Sequence, residues 1–220
     1  SYPPGDARED WQIINELAEL MNNRKLFNDK EEVESSMFNY LNLKKEKNKS
    51  GFTQSKNQNN FQNEDLKVDF GIKVYGAVYC ARAALPHLKK SGAGAIVNTT
   101  TPGGKAANPG SQPTSLSRAA GISLTKSWAG EFAKDNIRVN TVCVGVLKSG
   151  QHRTRWEAAN AKDSSYSLED HWKVVGKNVP MGRIGEAHEA GDLICFLASA
   201  KASYITGTAV NVDGGTSPVV

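Results

Sequence analysis

Long apolar runs are missing from this chain. No stretch approaches the ~20 apolar residues that a membrane-crossing helix needs, and nothing reads as a secretory leader. Cysteine is scarce: Cys80, Cys143 and Cys195 are the only three in 220 residues. Their wide spacing excludes a disulfide-stapled scaffold and a cysteine metal site. All three lie in apolar contexts, which predicts buried, reduced thiols in a cytoplasm-like compartment. Four histidines, His87, His152, His171 and His188, form no pair at helical i, i+4 spacing, so no metal centre is expected. A large excess of one charge is missing too. The net charge is +4, and Lys44, Lys45, Lys47, Lys49 and Lys56 supply much of it from one polar stretch. Without an aromatic-interleaved basic surface, that pattern reads as a solvated linker and excludes a nucleic-acid partner.

The composition present divides the chain into three. Residues 1–41 read as a helical segment. Trp11, Ile14, Leu17, Ala18 and Met21 repeat at helical spacing over 7–22, and Asp6 is a fitting N-cap. A second helix fits Lys30–Leu41, with Val33, Met37 and Leu41 on its apolar side. Residues 42–64 are rich in Lys, Asn and Gln, a linker composition. From residue 65 onward, Ala- and Val-rich segments alternate. They predict a helix over Glu64–Lys90, a strand at Ala95–Thr100, a helix over Pro113–Lys134 and a strand at Ile137–Cys143. Short helices follow near Arg153–Asn160 and Leu168–Lys177, then a helix at Glu186–Ser199 and a strand at Ala209–Val212. Strand, helix and parallel strand in alternation make an α/β fold.

Several motifs fall at fixed points of this pattern. Gly94-Ala-Ile-Val-Asn-Thr-Thr-Thr101 precedes Gln112-Pro-Thr-Ser-Leu-Ser-Arg-Ala-Ala120. Asn136-Ile-Arg-Val-Asn140, Pro180-Met-Gly-Arg-Ile-Gly-Glu186, Ala202-Ser-Tyr-Ile-Thr-Gly207 and Val212-Asp-Gly-Gly215 follow. In this order and spacing, residues 65–220 resemble the carboxyl-terminal two-thirds of a short-chain dehydrogenase/reductase. The resemblance implies a partial Rossmann-like, doubly wound parallel sheet and an NAD(P)-dependent oxidoreductase acting on a small carbonyl or alcohol. It also implies a homo-oligomer, built on the two long helices.

The chemistry that this resemblance implies needs a phenol as proton donor, a lysine one helical turn later and a serine on the substrate carbonyl. Here Thr114 takes the tyrosine position, Arg118 the lysine position and Thr101 the serine position. Lys73 takes the place of an accessory asparagine. Asn98, Arg118, Gly145 and Ser149 fall where the family contacts the cofactor. A threonine alcohol is a far weaker acid than a phenol, whose pKa is ~10, and Arg118 lacks the compact ammonium of lysine. A literal Tyr-x-x-x-Lys at Tyr40–Lys44 lacks any matching flank and reads as coincidence.

A dinucleotide fold opens with a strand, a glycine-rich turn and a helix, whose backbone amides hold the pyrophosphate. No such unit occurs in these residues. Gly92-Ala-Gly94 leads into a strand instead of leaving one, and Pro102-Gly-Gly-Lys105 lacks phosphate-loop spacing. The fold expected is therefore a Rossmann-like sheet without its glycine-rich βαβ unit, with its first strand left as an open edge.

At the other end, Pro3-Pro-Gly-Asp-Ala-Arg-Glu-Asp-Trp-Gln-Ile-Ile14 resembles a segment near the carboxyl end of the large iron–sulphur subunit of respiratory complex I. That likeness spans about residues 2–42 and implies a structural segment with no cluster ligand, leaving mitochondrial association open. Three readings follow: an impaired or inactive oxidoreductase, a non-catalytic structural or interaction protein, or a chimeric gene fragment.

Overall fold

The computed structural model describes residues 63–220. The two amino-terminal helices, most of the polar stretch and the Tyr40–Lys44 motif lie outside the described residues. Helix α1 (Asn63–Phe70) runs through a π-helical turn at Gly71–Tyr75 into α2 (Gly76–Ser91). The single helix predicted there is thus continuous in course but carries a wider turn in its middle. Gly92 ends α2 in the left-handed region, at φ 69°, where a side chain would be strained. Strand β1 (Gly94–Thr100) follows, then a one-turn 3-10 helix at Pro102–Gly104 and the long α3 (Thr114–Phe132). Strand β2 (Ile137–Val144) comes next, then α4 (Gly150–Asn160), α5 (Leu168–Gly176), α6 (Ala187–Ala198) and β3 (Ala209–Val212).

The three strands form one parallel sheet in the order β1-β2-β3. Gly94 pairs with Ile137 and Thr100 with Cys143, while Thr141 pairs with Ala209 and Val144 with Val212. Among the described residues no strand pairs with the outer side of β1.

The core is layered on the two faces of β2, because side chains alternate along a strand. Ile137 and Val139 pack with Ala81, Trp128, Ala129 and Phe132 of α2 and α3. Val142 packs with Leu197 of α6 and Ala202. Its place in the centre of a sheet covered on both sides explains the near-continuous burial of β2. The polar residues of β2 have structural partners. Arg138 donates to the carbonyl oxygens of Leu197, Ala198 and Ser199, which are among the last acceptors of α6. Asn140 donates from Nδ2 to Ile205 O at 2.8 Å and accepts from Thr208 at Oδ1. Asn136 enters the strand at φ 55°, a conformation that asparagine tolerates better than most residues.

The cysteine expectation holds only for Cys143. Cys80 and Cys195 are exposed. Both stand on helices with more apolar positions than the sheet can cover, so an apolar neighbourhood in sequence does not put them inside.

Candidate functional site

The amino-terminal end of α3 sits against the π turn and the 3-10 turn, and polar side chains converge there. The Lys73 ammonium lies 3.4 Å from Thr114 Oγ1. It also pairs with the Asp69 carboxylate one helical turn earlier. Asp69 is only 5% exposed, and its second oxygen accepts from the buried Ser117 hydroxyl. Both oxygens of the carboxylate are therefore engaged, as a buried charge requires. The π turn widens the helix at Lys73 itself, a common device for aiming a residue at a site.

Arg118 stands one turn beyond Thr114 on α3. Its guanidinium donates to Thr99 O at 3.2 Å, while its Nε is shielded from water without a hydrogen-bond partner. Burial pushes the Arg118 pKa down, and the negative Asp69 opposes that. Thr101 follows β1 and opens the turn, its carbonyl accepting from Gly104 N at 3.0 Å. Gly104 itself is required by packing, since a Cβ there would lie 2.8 Å from the Arg118 backbone. Thr100 beside it is 3% exposed, and its hydroxyl has no partner.

The structure thus gathers three of the four predicted catalytic positions, Lys73, Thr114 and Arg118, around a carboxylate that the motif pattern does not single out. Asp69 and Ser117 are the residues that sequence reasoning missed. The i, i+4 spacing of Asp69 and Lys73 on one helix was the available signal.

The predicted cofactor contacts fare differently. Asn98 Nδ2 donates to Thr125 Oγ1 at 2.9 Å, and Thr125 bonds onward to Thr141 at 2.7 Å, so Asn98 belongs to the packing of α3 on the sheet. At Gly145 a Cβ would lie 2.4 Å from Asp213 Cβ, so this glycine is explained by a close crossing of two loops. Ser149 is exposed and precedes α4 without capping it through its side chain. Arg118 alone offers an unused buried donor.

A cavity of about 290 Å³ opens beyond the carboxyl ends of β2 and β3, lined in part by Leu147, Val179, Met181, Asn211 and Asp213. It contains none of Lys73, Thr101, Thr114 or Arg118, so the enclosed space and the polar cluster are separate features. Its wall is braced by Arg183, which forms a two-pronged pair with Glu189 at 2.8 and 2.6 Å. That pair and the Glu186 backbone N–H hold the Glu189 carboxyl down to about 2. Among the described residues no group of three or more potential metal ligands occurs.

A parallel sheet covered by helices on both faces, with polar groups at the carboxyl end of its first strand, defines a partial Rossmann-like α/β domain. The chain belongs to the short-chain dehydrogenase/reductase family: the family model described as enoyl-(acyl carrier protein) reductase matches residues 46–217. The oxidoreductase UcpA of Salmonella typhimurium is 34% identical over 157 residues, covering 71% of this chain and 57% of that protein. The 3-oxoacyl-[acyl-carrier-protein] reductase FabG of Thermotoga maritima is 31% identical, covering 84% of this chain and 71% of its own. Among solved structures, a short-chain oxidoreductase from Pseudomonas aeruginosa PAO1, containing an atypical catalytic centre, superposes with a TM-score of 0.67 at 32% identity. That likeness covers 72% of this chain and 61% of the other. Its NADPH-bound form gives 0.65, with 72% and 60% covered. The chain spans little more than half the length of the UcpA relative. No helix among the described residues is long and apolar enough to cross a membrane.

Proposed function

We propose that this chain is a divergent NAD(P)-dependent short-chain dehydrogenase/reductase-like protein whose oxidoreductase activity is impaired or lost. The observation that carries this reading is Thr114 at the head of α3, facing the Lys73 ammonium at 3.4 Å where the family pattern places a phenol. When bound, a nicotinamide cofactor supplies hydride. The protein must then supply a proton at the substrate oxygen. An aliphatic alcohol does this poorly, and Thr114 is shorter than tyrosine by a whole ring. Thr101 can still donate a hydrogen bond to a small carbonyl or alcohol, and Arg118 keeps a positive charge beside it. The Pseudomonas relative, with its atypical centre, supports the view that the fold persists when the catalytic letters change. Its NADPH-bound form is the ground for naming the cofactor class. A panel of ketones and alcohols, followed by nicotinamide absorbance with the full chain, tests the reading. Turnover indistinguishable from the protein-free control is expected. Steady turnover of any panel member, on the order of 1 s⁻¹ or faster as in typical enzymes, would overturn the impairment.

The second reading is a non-catalytic interaction protein, and one observation favours it. Val68, Ile72 and Tyr75 of the α1–α2 helix are 38%, 44% and 45% exposed, as is Leu116 of α3 at 45%. A row of large apolar residues along one helix face is open to a partner, and a closed two-fold pair is the commonest solution. Light scattering after size exclusion is expected to show a homodimer or larger oligomer. A well-folded monomer at tens of micromolar would contradict it. The likeness of residues 2–42 to a complex I segment makes this chain a fusion or a chimeric gene product in our reading. One transcript reading through residues 1–220 is expected, and separate transcripts for the two parts would refute the fusion. The exposed thiols Cys80 and Cys195 suit a reducing compartment such as the cytoplasm.

A further inference from the structure

The four histidines form no ligand pair in the sequence, but the fold brings two of them together. His152 of α4 and His171 of α5 lie with ring centroids 6.0 Å apart. Trp172 stands edge-on to both, 6.4 Å from His152 and 5.3 Å from His171. Tyr166, in the loop between the helices, meets His171 edge-on at 6.0 Å. Trp156 and Asn160 of α4 tie that loop down by donating to Tyr166 O at 2.8 and 3.0 Å. Within residues 150–176 the buried residues are His171 and Gly176. The two apolar core clusters draw instead on α2, α3, α6, the sheet and the turn after α6. The seam between α4 and α5 is therefore made of rings, and two of those rings titrate.

One nitrogen in each imidazole is shut away from water without a hydrogen-bond partner: Nδ1 of His152 and Nε2 of His171. Nδ1 of His171 meets the Tyr166 hydroxyl at 3.3 Å. A neutral imidazole tolerates this, because one of its nitrogens is a bare lone pair that need not donate. An imidazolium does not. Both its nitrogens carry a hydrogen, and a buried donor without an acceptor is costly. The surrounding charges give no relief. Burial first, and then the charges of Arg155 and His171, push the His152 imidazole below the ordinary histidine value of 6.5. Of the acids in the hairpin, Asp163 accepts from Ser165, and Asp170 accepts from Ser167 and lies 3.9 Å from Lys173. Glu157 and Glu169 are exposed.

We propose that His152 and His171 form an acid-sensitive latch: the neutral pair holds α4 against α5, and its protonation below about pH 6 releases the hairpin while the sheet stays folded. Protons bind more easily to the open hairpin, which takes them up at the ordinary value near 6.5. The latch is therefore fully set above that value and is lost as pH falls below it, toward the lowered value of the closed form. The release is confined to the hairpin because backbone hydrogen bonds fasten its ends. On one side Lys148 N donates to Gly185 O at 2.8 Å and Gly185 N to Val146 O at 3.0 Å; on the other Met181 N donates to Gly214 O at 3.2 Å. The same end segments wall the cavity of about 290 Å³ through Leu147, Val179 and Met181. The latch thus acts on the element that joins two sides of that cavity, whether or not the chain turns over a substrate.

Hydrogen–deuterium exchange of the full chain at pH 7.5 and pH 5.5, corrected for the intrinsic exchange rate, tests the latch. Peptides from α4 and α5 are expected to lose about tenfold in protection at pH 5.5 if the closed form keeps one imidazole neutral, and about a hundredfold if it keeps both. Peptides from β2 are expected to hold theirs. Unchanged or increased protection of the hairpin at pH 5.5, or an equal loss in β2, overturns the proposal without any variant having to fold. A second measurement on the unaltered chain is the NMR titration of the imidazole resonances. The His152 midpoint is expected below the ordinary histidine value, and a midpoint at or above it overturns the latch. His152→Gln combined with His171→Phe removes both titrating groups, and its hairpin is expected to be equally protected at the two pH values. A folded double variant that still loses protection at pH 5.5 overturns the assignment to these two residues.

Discussion

β2 and the carboxyl end of β1 are neighbours in one sheet, and the family pattern has fared oppositely in them. In β2 the motif Asn136-Ile-Arg-Val-Asn140 is intact, and its residues serve the packing of the fold. Ile137 and Val139 are 1% and 0% exposed in the core, Arg138 holds the end of α6, and Asn140 ties down the loop before β3. At the end of β1 and the head of α3 the chemical letters differ from the family pattern, and a buried carboxylate, Asp69, stands among them. A likeness carried mainly by packing residues reports on the fold. It says little about whether the chemistry survives.

The largest effect expected from breaking this comparison lies at the altered site. Asp69→Ala removes the carboxylate from Lys73, whose side chain is only 11% exposed, and leaves the Ser117 hydroxyl with Thr114 O alone at 3.0 Å. The loss of one member of a buried pair predicts a destabilisation of about 3 kcal/mol by urea unfolding. Asp69→Leu combined with Lys73→Met replaces the pair by apolar groups of similar size, and the double variant is expected within about 1 kcal/mol of the parent. If the single change is silent, the cluster contributes nothing to stability. If the double change is as damaging as the single one, the ion pair itself is needed.

A smaller effect separates the cavity wall from the cluster. The Glu189 carboxyl sits at about 2 in the fold, first because of its hydrogen bonds to Arg183 and then through the Glu186 N–H. Its pKa is thus lower folded than unfolded. Its contribution is present above the ordinary carboxyl value of 4.5 and lost as pH falls toward 2. Because the pair is solvent-exposed, the effect should be slight. Thermal melts from pH 5 to pH 2 should show a shallower acid decline in Glu189→Gln than in the parent. Parallel curves would remove this pair from the account of acid stability.

Most of the fold was legible in residues 65–220. The strand expected at Ala95–Thr100 lies within one residue of the one found, and Ala209–Val212 matches. Apolar runs bounded by glycine and asparagine mark such buried parallel strands well. The π turn at Gly71–Tyr75 was not legible, because a helix with one extra residue per turn keeps the same amphipathic letters. The positions of Thr114, Arg118 and Lys73 followed from motif spacing. The cluster's actual centre, Asp69, did not, because an acidic residue on an amphipathic helix ordinarily faces water. Asn98 and Gly145, expected at the cofactor by position, are also each engaged in packing, which only the three-dimensional contacts reveal. Cys80 and Cys195 show the same gap: apolar neighbours in sequence do not decide which helix face meets the sheet.

The family's scaffold is present here, and the proposal that most needs testing is that it lacks a working nicotinamide site. Titration of the purified full chain with NADPH and NADH, by calorimetry and by nicotinamide fluorescence, tests it most directly. That proposal predicts no saturable binding in the micromolar range, because residues 1–220 contain no glycine-rich turn of the kind whose backbone amides hold pyrophosphate. A micromolar dissociation constant for either cofactor would contradict it.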